Sequence, residues 1–194
     1  MNARTEFGSN LGHLWETDPR MVGIRHARYK FVAKMLAGCE RVLEVGAGDG
    51  SLAQIVRQTV RRVVCCDLDP QGPDVLRLDL VHEMPQGIFD AAYALDVLEH
   101  VAPADEDAFL GNLVLAVPPS GTVILGTPSL ESQAYACDIS RRGHVNCKTE
   151  DELRDTLRRH FRNVYLFGMN DETLHTGYGP MCHYRLALCA GVRS

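Results

Sequence analysis

The stretch "LEVGAGDGS" (43–51) closes one apolar run and opens another, with glycines at 46, 48 and 50. Glycines at alternate positions strip the Cβ atoms from one turn, so the backbone can reverse sharply and a ligand can lie against it. Such a loop is either a tight strand–helix turn or a ligand seat, and strands alternating with helices predict an open parallel sheet whose ligands bind at the carboxyl ends of its strands. The rest of the chain fits that plan. "RVLEVG" (41–46), "RVVCCDLD" (62–69), "DVLRLDL" (74–80), "FDAAYAL" (89–95) and "GTVILGTP" (121–128) read as strands. "SLAQIVRQTV" (51–60) and residues 104–116 read as helices. So does Asp18–Leu36, where Met21, Ile24, Tyr29, Val32 and Leu36 keep helical spacing. Thr149 and Glu152 form a Thr-x-x-Glu capping pattern for a helix running to Phe161. The last strands, "NVYLFGM" (163–169) and "HYRLALCAGV" (183–192), are separated only by 170–182, which predicts an antiparallel pair. The expected fold is α/β: a doubly wound, mostly parallel seven-stranded sheet with an antiparallel C-terminal hairpin and helices on both faces. One domain is expected over 1–194, with an arm and helix (1–38) as a lid on the core (39–194).

Charge and cysteine content narrow the class. A net charge of −5 argues against a general nucleic-acid binder, whose surface is normally positive. Seven cysteines without a Cys-x-x-Cys pair read as reduced thiols. The opening "MNARTEFGSN" contains no apolar stretch, so no signal peptide is expected. No apolar run nears the roughly 18 residues of a membrane span. A cytoplasmic location, no membrane contact and an undefined oligomeric state are the expectations.

Acids mark the strand ends. Glu44 lies inside an apolar strand, Asp67 ends the second and Asp79 the third. Asp67 stands where a ribose hydroxyl pair needs an acceptor. Asp49, inside the glycine loop, would repel the pyrophosphate of a dinucleotide. An acidic loop instead suits a ligand with a cationic part, and S-adenosylmethionine carries an amine and a sulfonium.

"VLEVGAGDGSLA" resembles the signature loop of the seven-stranded, class I S-adenosylmethionine-dependent methyltransferases. "VVCCDLDP", "RLDL" and "FDAAYALDVLEHV" are similar to their second, third and fourth motifs, so the resemblance runs from about residue 40 to 190. It implies a Rossmann-like core in which Gly46, Gly48 and Gly50 line the methionine and ribose parts. Asp67 would take the ribose hydroxyls, with Leu68 against the adenine. Asp79 would accept from the adenine amino group, with Leu80 beside it. Glu44 and Asp96 complete the cofactor set.

"ALDVLEHV" (94–101) delivers Asp96, Glu99 and His100 where the fourth strand runs out. Asp-x-x-Glu-His resembles the Glu-x-x-Glu-His of two metal-using methyltransferase groups, one making ubiquinone and one methylating the terminal 2′-hydroxyl of small RNAs. Both carry a histidine after the fifth strand, and His144 holds that place here. The resemblance implies a metal set of Asp96, Glu99, His100 and His144 for Mg²⁺, Mn²⁺, Fe²⁺ or Zn²⁺. The metal-free alternative makes His100 or His144 a general base. Arg28 reads either as a partner for the cofactor carboxylate or as a surface arginine, and Trp15 as part of the lid. The 170–182 loop, with His175 and Tyr178, joins the arm and the 129–148 loop around the substrate mouth.

The expected activity is methyl transfer from S-adenosylmethionine to a small molecule, with an oxygen acceptor favoured. Three other readings stay open. They are a metal-dependent RNA ribose 2′-O-methyltransferase, a non-catalytic cofactor-binding subunit and a nicotinamide-dependent oxidoreductase.

Overall fold

A computed structural model describes residues 9–193. The first eight residues of the expected arm lie outside the described residues. The arm's remainder is helical: α1 spans Ser9–Thr17 and α2 spans Pro19–Met35. Pro19 starts α2 where a missing N–H costs nothing. The core follows as β1 (Arg41–Val45), α3 (Ala53–Val56), β2 (Arg62–Asp67), β3 (Val75–Arg77), β4 (Ala91–Leu95), α4 (Glu106–Leu115) and β5 (Thr122–Pro128). Then come α5 (Asp138–Gly143), α6 (Glu150–Arg158), β6 (Phe161–Asn170), β7 (Thr173–His175) and β8 (Tyr184–Val192).

All eight strands form one sheet in the order β3-β2-β1-β4-β5-β8-β6-β7. β3, β2, β1, β4 and β5 run parallel, while β8 is antiparallel to both β5 and β6. The seven expected strands are present. Thr173–His175, expected as loop, adds an eighth on the outer edge of β6. β3 is shorter than its apolar pattern suggested, which leaves Asp79 and Leu80 in the turn beyond it.

The sheet is covered on both sides, and β4 shows why its sequence is apolar throughout. Ala92 and Ala94 face one core with Phe109, Leu110 and Leu113 of α4 and Leu153 and Leu157 of α6. Ala91, Tyr93 and Leu95 face the other with Tyr29, Val32 and Ala33 of α2 and Ala53 and Val56 of α3. The helix expected over 51–60 keeps regular α form only at Ala53–Val56, with turns on either side. Thr149 caps α6: its hydroxyl accepts from the Glu152 N–H at 3.3 Å, and the Glu152 carboxylate accepts from the Thr149 N–H at 2.8 Å. The 129–148 segment is not featureless. It holds a 3₁₀ turn, Glu131–Tyr135, and the short helix α5. No described helix is long and apolar enough to cross a membrane.

Candidate active site at the carboxyl ends of the strands

A cleft opens where β1 and β4 end. Gly46, Ala47, Gly48 and Asp49 form one wall, and Leu95, Asp96 and His100 the other. Leu11 of α1 and Arg25 and Tyr29 of α2 close it from above. Gly46, Gly48 and Gly50 all have positive φ (77°, 59° and 74°), so the loop needs glycine at each. The Gly48 N–H donates to Asp67 at 2.7 Å, and the Asp69 N–H donates to the other Asp67 oxygen at 2.9 Å. The β2 carboxylate is thereby fixed against the loop. The open space over Gly48 and the fixed acid beside it fit a ligand carrying a ribose and a cationic centre.

The other expected cofactor residues divide. Leu68 is 60 % exposed beside Asp67 and is free to meet a planar ring. Leu80 is not: its side chain is buried in the core under α4. Asp79 accepts from the Val81 N–H at 3.0 Å and pairs with His82 at 2.8 Å, which holds its carboxyl below the usual range. Glu44 is 1 % exposed and does not line the cleft. It accepts from the Tyr29 hydroxyl at 2.7 Å and from the Cys65 thiol at 3.3 Å beneath the loop. Burial pushes its carboxyl up and the Tyr29 phenol well up.

At the end of β4 the expected four-residue cluster resolves into three. One ligand atom each from Glu99, His100 and His144 lies within 4.8 Å of the others. Asp96 stands apart. It has φ 58°, and both its oxygens accept from Nη1 of Arg28 at 2.8 Å. Arg28, the surface arginine of one sequence reading, is 8 % exposed and lies 3.6 Å over the Tyr184 ring. Arg25, one helical turn back, is the arginine that reaches the cleft.

Glu99 is 1 % exposed and accepts from the Thr127 hydroxyl at 3.1 Å. Burial, then the charge of Asp96, pushes its carboxyl up to about 8. His100 and His144 meet edge to face with centroids 5.1 Å apart. Nδ1 of His100 donates to the Gly143 carbonyl at 2.9 Å, and Nδ1 of His144 lies 2.9 Å from the Gln133 side-chain oxygen. Nε2 is therefore the open nitrogen on both rings. Burial and the neighbouring His100 lower the His144 pKa. Two imidazoles and one carboxylate, each steered by a further hydrogen bond, are a donor set that suits a divalent metal. They equally suit proton removal.

Sequence reasoning missed Arg28 as a buried partner of Asp96, and it missed Tyr184, Thr127 and Gln133. Each contacts a residue tens of positions away or sits in a polar loop, so none leaves a local signal. The expected His175 and Tyr178 lie elsewhere, and Tyr178 lines a separate groove with Glu131 and Glu150.

A methyltransferase-domain family model matches residues 18–164. A ubiquinone biosynthesis O-methyltransferase of Xanthomonas campestris pv. campestris is 29 % identical over 155 residues, covering 69 % of this chain and 64 % of that protein. The chain thus spans less than two thirds of that relative's length. Among solved structures, the N-methyltransferase NodS from Bradyrhizobium japonicum WM9 with S-adenosyl-L-homocysteine superposes with TM-score 0.68 at 15 % identity, covering 94 % of this chain and 93 % of NodS. The small RNA methyltransferase HEN1 gives TM-score 0.68 at 16 % identity over 100 % of this chain and 27 % of HEN1. These two likenesses carry the fold, and the family match carries the assignment: the chain belongs to the class I S-adenosylmethionine-dependent methyltransferases.

Proposed function

We propose that this protein transfers the methyl group of S-adenosylmethionine to a hydroxyl oxygen of a small molecule. The observation that carries this reading is the junction of two features on one strand end. The glycine loop and His100 line the same cleft, and His100 belongs to the Glu99–His100–His144 cluster. Relatives named ubiquinone biosynthesis O-methyltransferases support the oxygen acceptor.

In this reading Gly46, Gly48, Gly50 and Asp67 seat the cofactor, with Asp96 and Arg25 at the cleft wall. Glu44 supports the loop from beneath. Glu99, His100 and His144 would hold a divalent metal. When bound, that ion would supply Lewis acidity that lowers the acceptor's pKa. The chain's own residues position the acceptor in line with the methyl group and exclude water. In the metal-free alternative, Nε2 of His100 or His144, with its other nitrogen tied to an acceptor, takes the hydroxyl proton itself. Leu11 and the α1–α2 arm cover the cleft. Seven unpaired cysteines favour a reducing compartment such as the cytoplasm.

The test is transfer of labelled methyl from S-adenosylmethionine to two acceptors in parallel: a simple catechol and a short RNA with a free 3′-terminal 2′-hydroxyl. Label in the catechol, lost in His100→Ala while S-adenosylhomocysteine still binds, supports the proposal. Label only in the RNA would replace the small-molecule acceptor with a nucleic acid.

A further inference from the structure

We propose that Gln133 is a positioning residue that locks His144 as its Nδ1–H tautomer and leaves Nε2 bare. The inference rests on His144 being an active-site group.

The main-chain carbonyl of Ser129 can only accept. Nε2 of Gln133 donates to it at 3.3 Å, and the same amide nitrogen lies 3.3 Å from the Ser132 hydroxyl. That hydroxyl itself donates to the Ser129 carbonyl at 2.8 Å. The –NH₂ end of Gln133 is therefore committed to the backbone, and its oxygen faces Nδ1 of His144 at 2.9 Å. An amide oxygen has no hydrogen to give, so the hydrogen in this bond belongs to His144 Nδ1. A neutral imidazole carries one N–H, and Nε2 is left as a lone pair. His100 reaches the same state by a shorter route, because its Nδ1 faces the Gly143 carbonyl. Both rings thus leave Nε2 bare, which is the form a base or a metal ligand needs.

The anchor is rigid. Ser129 is fully buried, its N–H donates to the His183 carbonyl at 3.0 Å, and its hydroxyl donates to the Cys182 carbonyl at 2.6 Å. Two residues before Gln133, Glu131 accepts from the buried Arg185 of β8 at 2.9 Å. The turn that carries Gln133 is therefore tied at Ser129 to the segment entering β8 and at Glu131 to β8 itself.

The experiment uses the full chain with ¹⁵N-labelled histidine and long-range proton–nitrogen NMR in metal-free buffer at alkaline pH. His144 is expected as the Nδ1–H tautomer in the wild type. In Gln133→Leu it shifts to a mixture with Nε2–H, and Zn²⁺ binds about 10- to 100-fold more weakly. Gln133→Glu still presents an acceptor to His144 and so keeps the tautomer, but its second oxygen cannot donate to the Ser129 carbonyl, so only part of the Zn²⁺ affinity returns. His26, whose Nδ1 faces the Val22 carbonyl at 2.7 Å on α2, stays unchanged and reports an intact fold. A wild-type His144 in the Nε2–H form, or a Gln133→Leu variant that keeps Nδ1–H, overturns the proposal. Absence of Zn²⁺ binding in the wild type would remove the metal reading alone, and the tautomer would still decide the role of Gln133.

Discussion

Gly46 and Gly48 share a left-handed backbone, yet their surroundings differ. A Cβ on Gly46 would collide with Cγ2 of Val97, whereas a Cβ on Gly48 meets nothing within 4 Å. Both alanine variants pay the backbone cost of about 1–2 kcal/mol, and only Gly46→Ala adds a clash. Urea unfolding should show Gly46→Ala losing clearly more stability than Gly48→Ala. Val97→Ala should return part of that loss in the Gly46→Ala background and none in the Gly48→Ala background. Equal losses would mean that Val97 yields freely. Glu99 carries a second residue-scale prediction. Its folded pKa, about 8, exceeds the ordinary value of 4.5, so the folded state holds a proton that the unfolded state releases. Stability then falls as pH rises between those values, by up to about 1.4 kcal/mol per pH unit. In EDTA, Glu99→Gln should flatten that slope between pH 5 and 8, read from unfolding midpoints. A slope equal to that of the wild type would place the titration elsewhere.

The elements around the cluster are held by buried charge as much as by apolar packing. Arg185, 1 % exposed on β8, donates to Glu131 at the start of the 3₁₀ turn and to Glu150 at the start of α6. Glu131 and Glu150 keep partial contact with water, so Arg185→Gln removes a tether without stranding two buried acids. Hydrogen exchange across 130–145 should quicken at least tenfold in that variant, while β1, β4 and β5 stay protected. Uniform acceleration would instead mark Arg185 as a determinant of global stability. At this scale the sequence was unevenly legible. β4 and β5 announced themselves because strands buried on both faces must be apolar throughout. The Thr149–Glu152 cap is a local pattern and was visible too. The Glu131–Tyr135 turn, α5 and β7 were not, because pieces of three to six residues show no period. Their form comes from contacts such as Arg185 with Glu131, 54 residues apart.

Across the whole molecule the site lies where the two cores meet the ends of the same strands. Glu99 and His100 follow β4 directly, so their placement was legible from the strand and the resemblance together. The pairing of Asp96 with Arg28 was not. It depends on a φ of 58° and on a partner that lies 68 residues earlier on α2. That ion pair also ties the α1–α2 arm to the site, and Leu11, Arg25 and Tyr29 follow it into the cleft. A ligand in this cleft touches the arm, the glycine loop and the end of β4 at once, so its binding energy should stabilise the global fold. At 100 times its dissociation constant, a ligand that binds only the folded state adds about 2.7 kcal/mol. For a chain of this size that corresponds to a rise of about 5–10 °C in Tm. S-adenosylhomocysteine should produce such a rise and NAD should not, since Asp49 in the loop disfavours a pyrophosphate. Asp67→Ala removes the carboxylate that accepts from Gly48, and it should shrink the rise with S-adenosylhomocysteine to a degree or two. A comparable shift with NAD would contradict the acidic-loop argument, and an undiminished shift in Asp67→Ala would take the ribose role from Asp67.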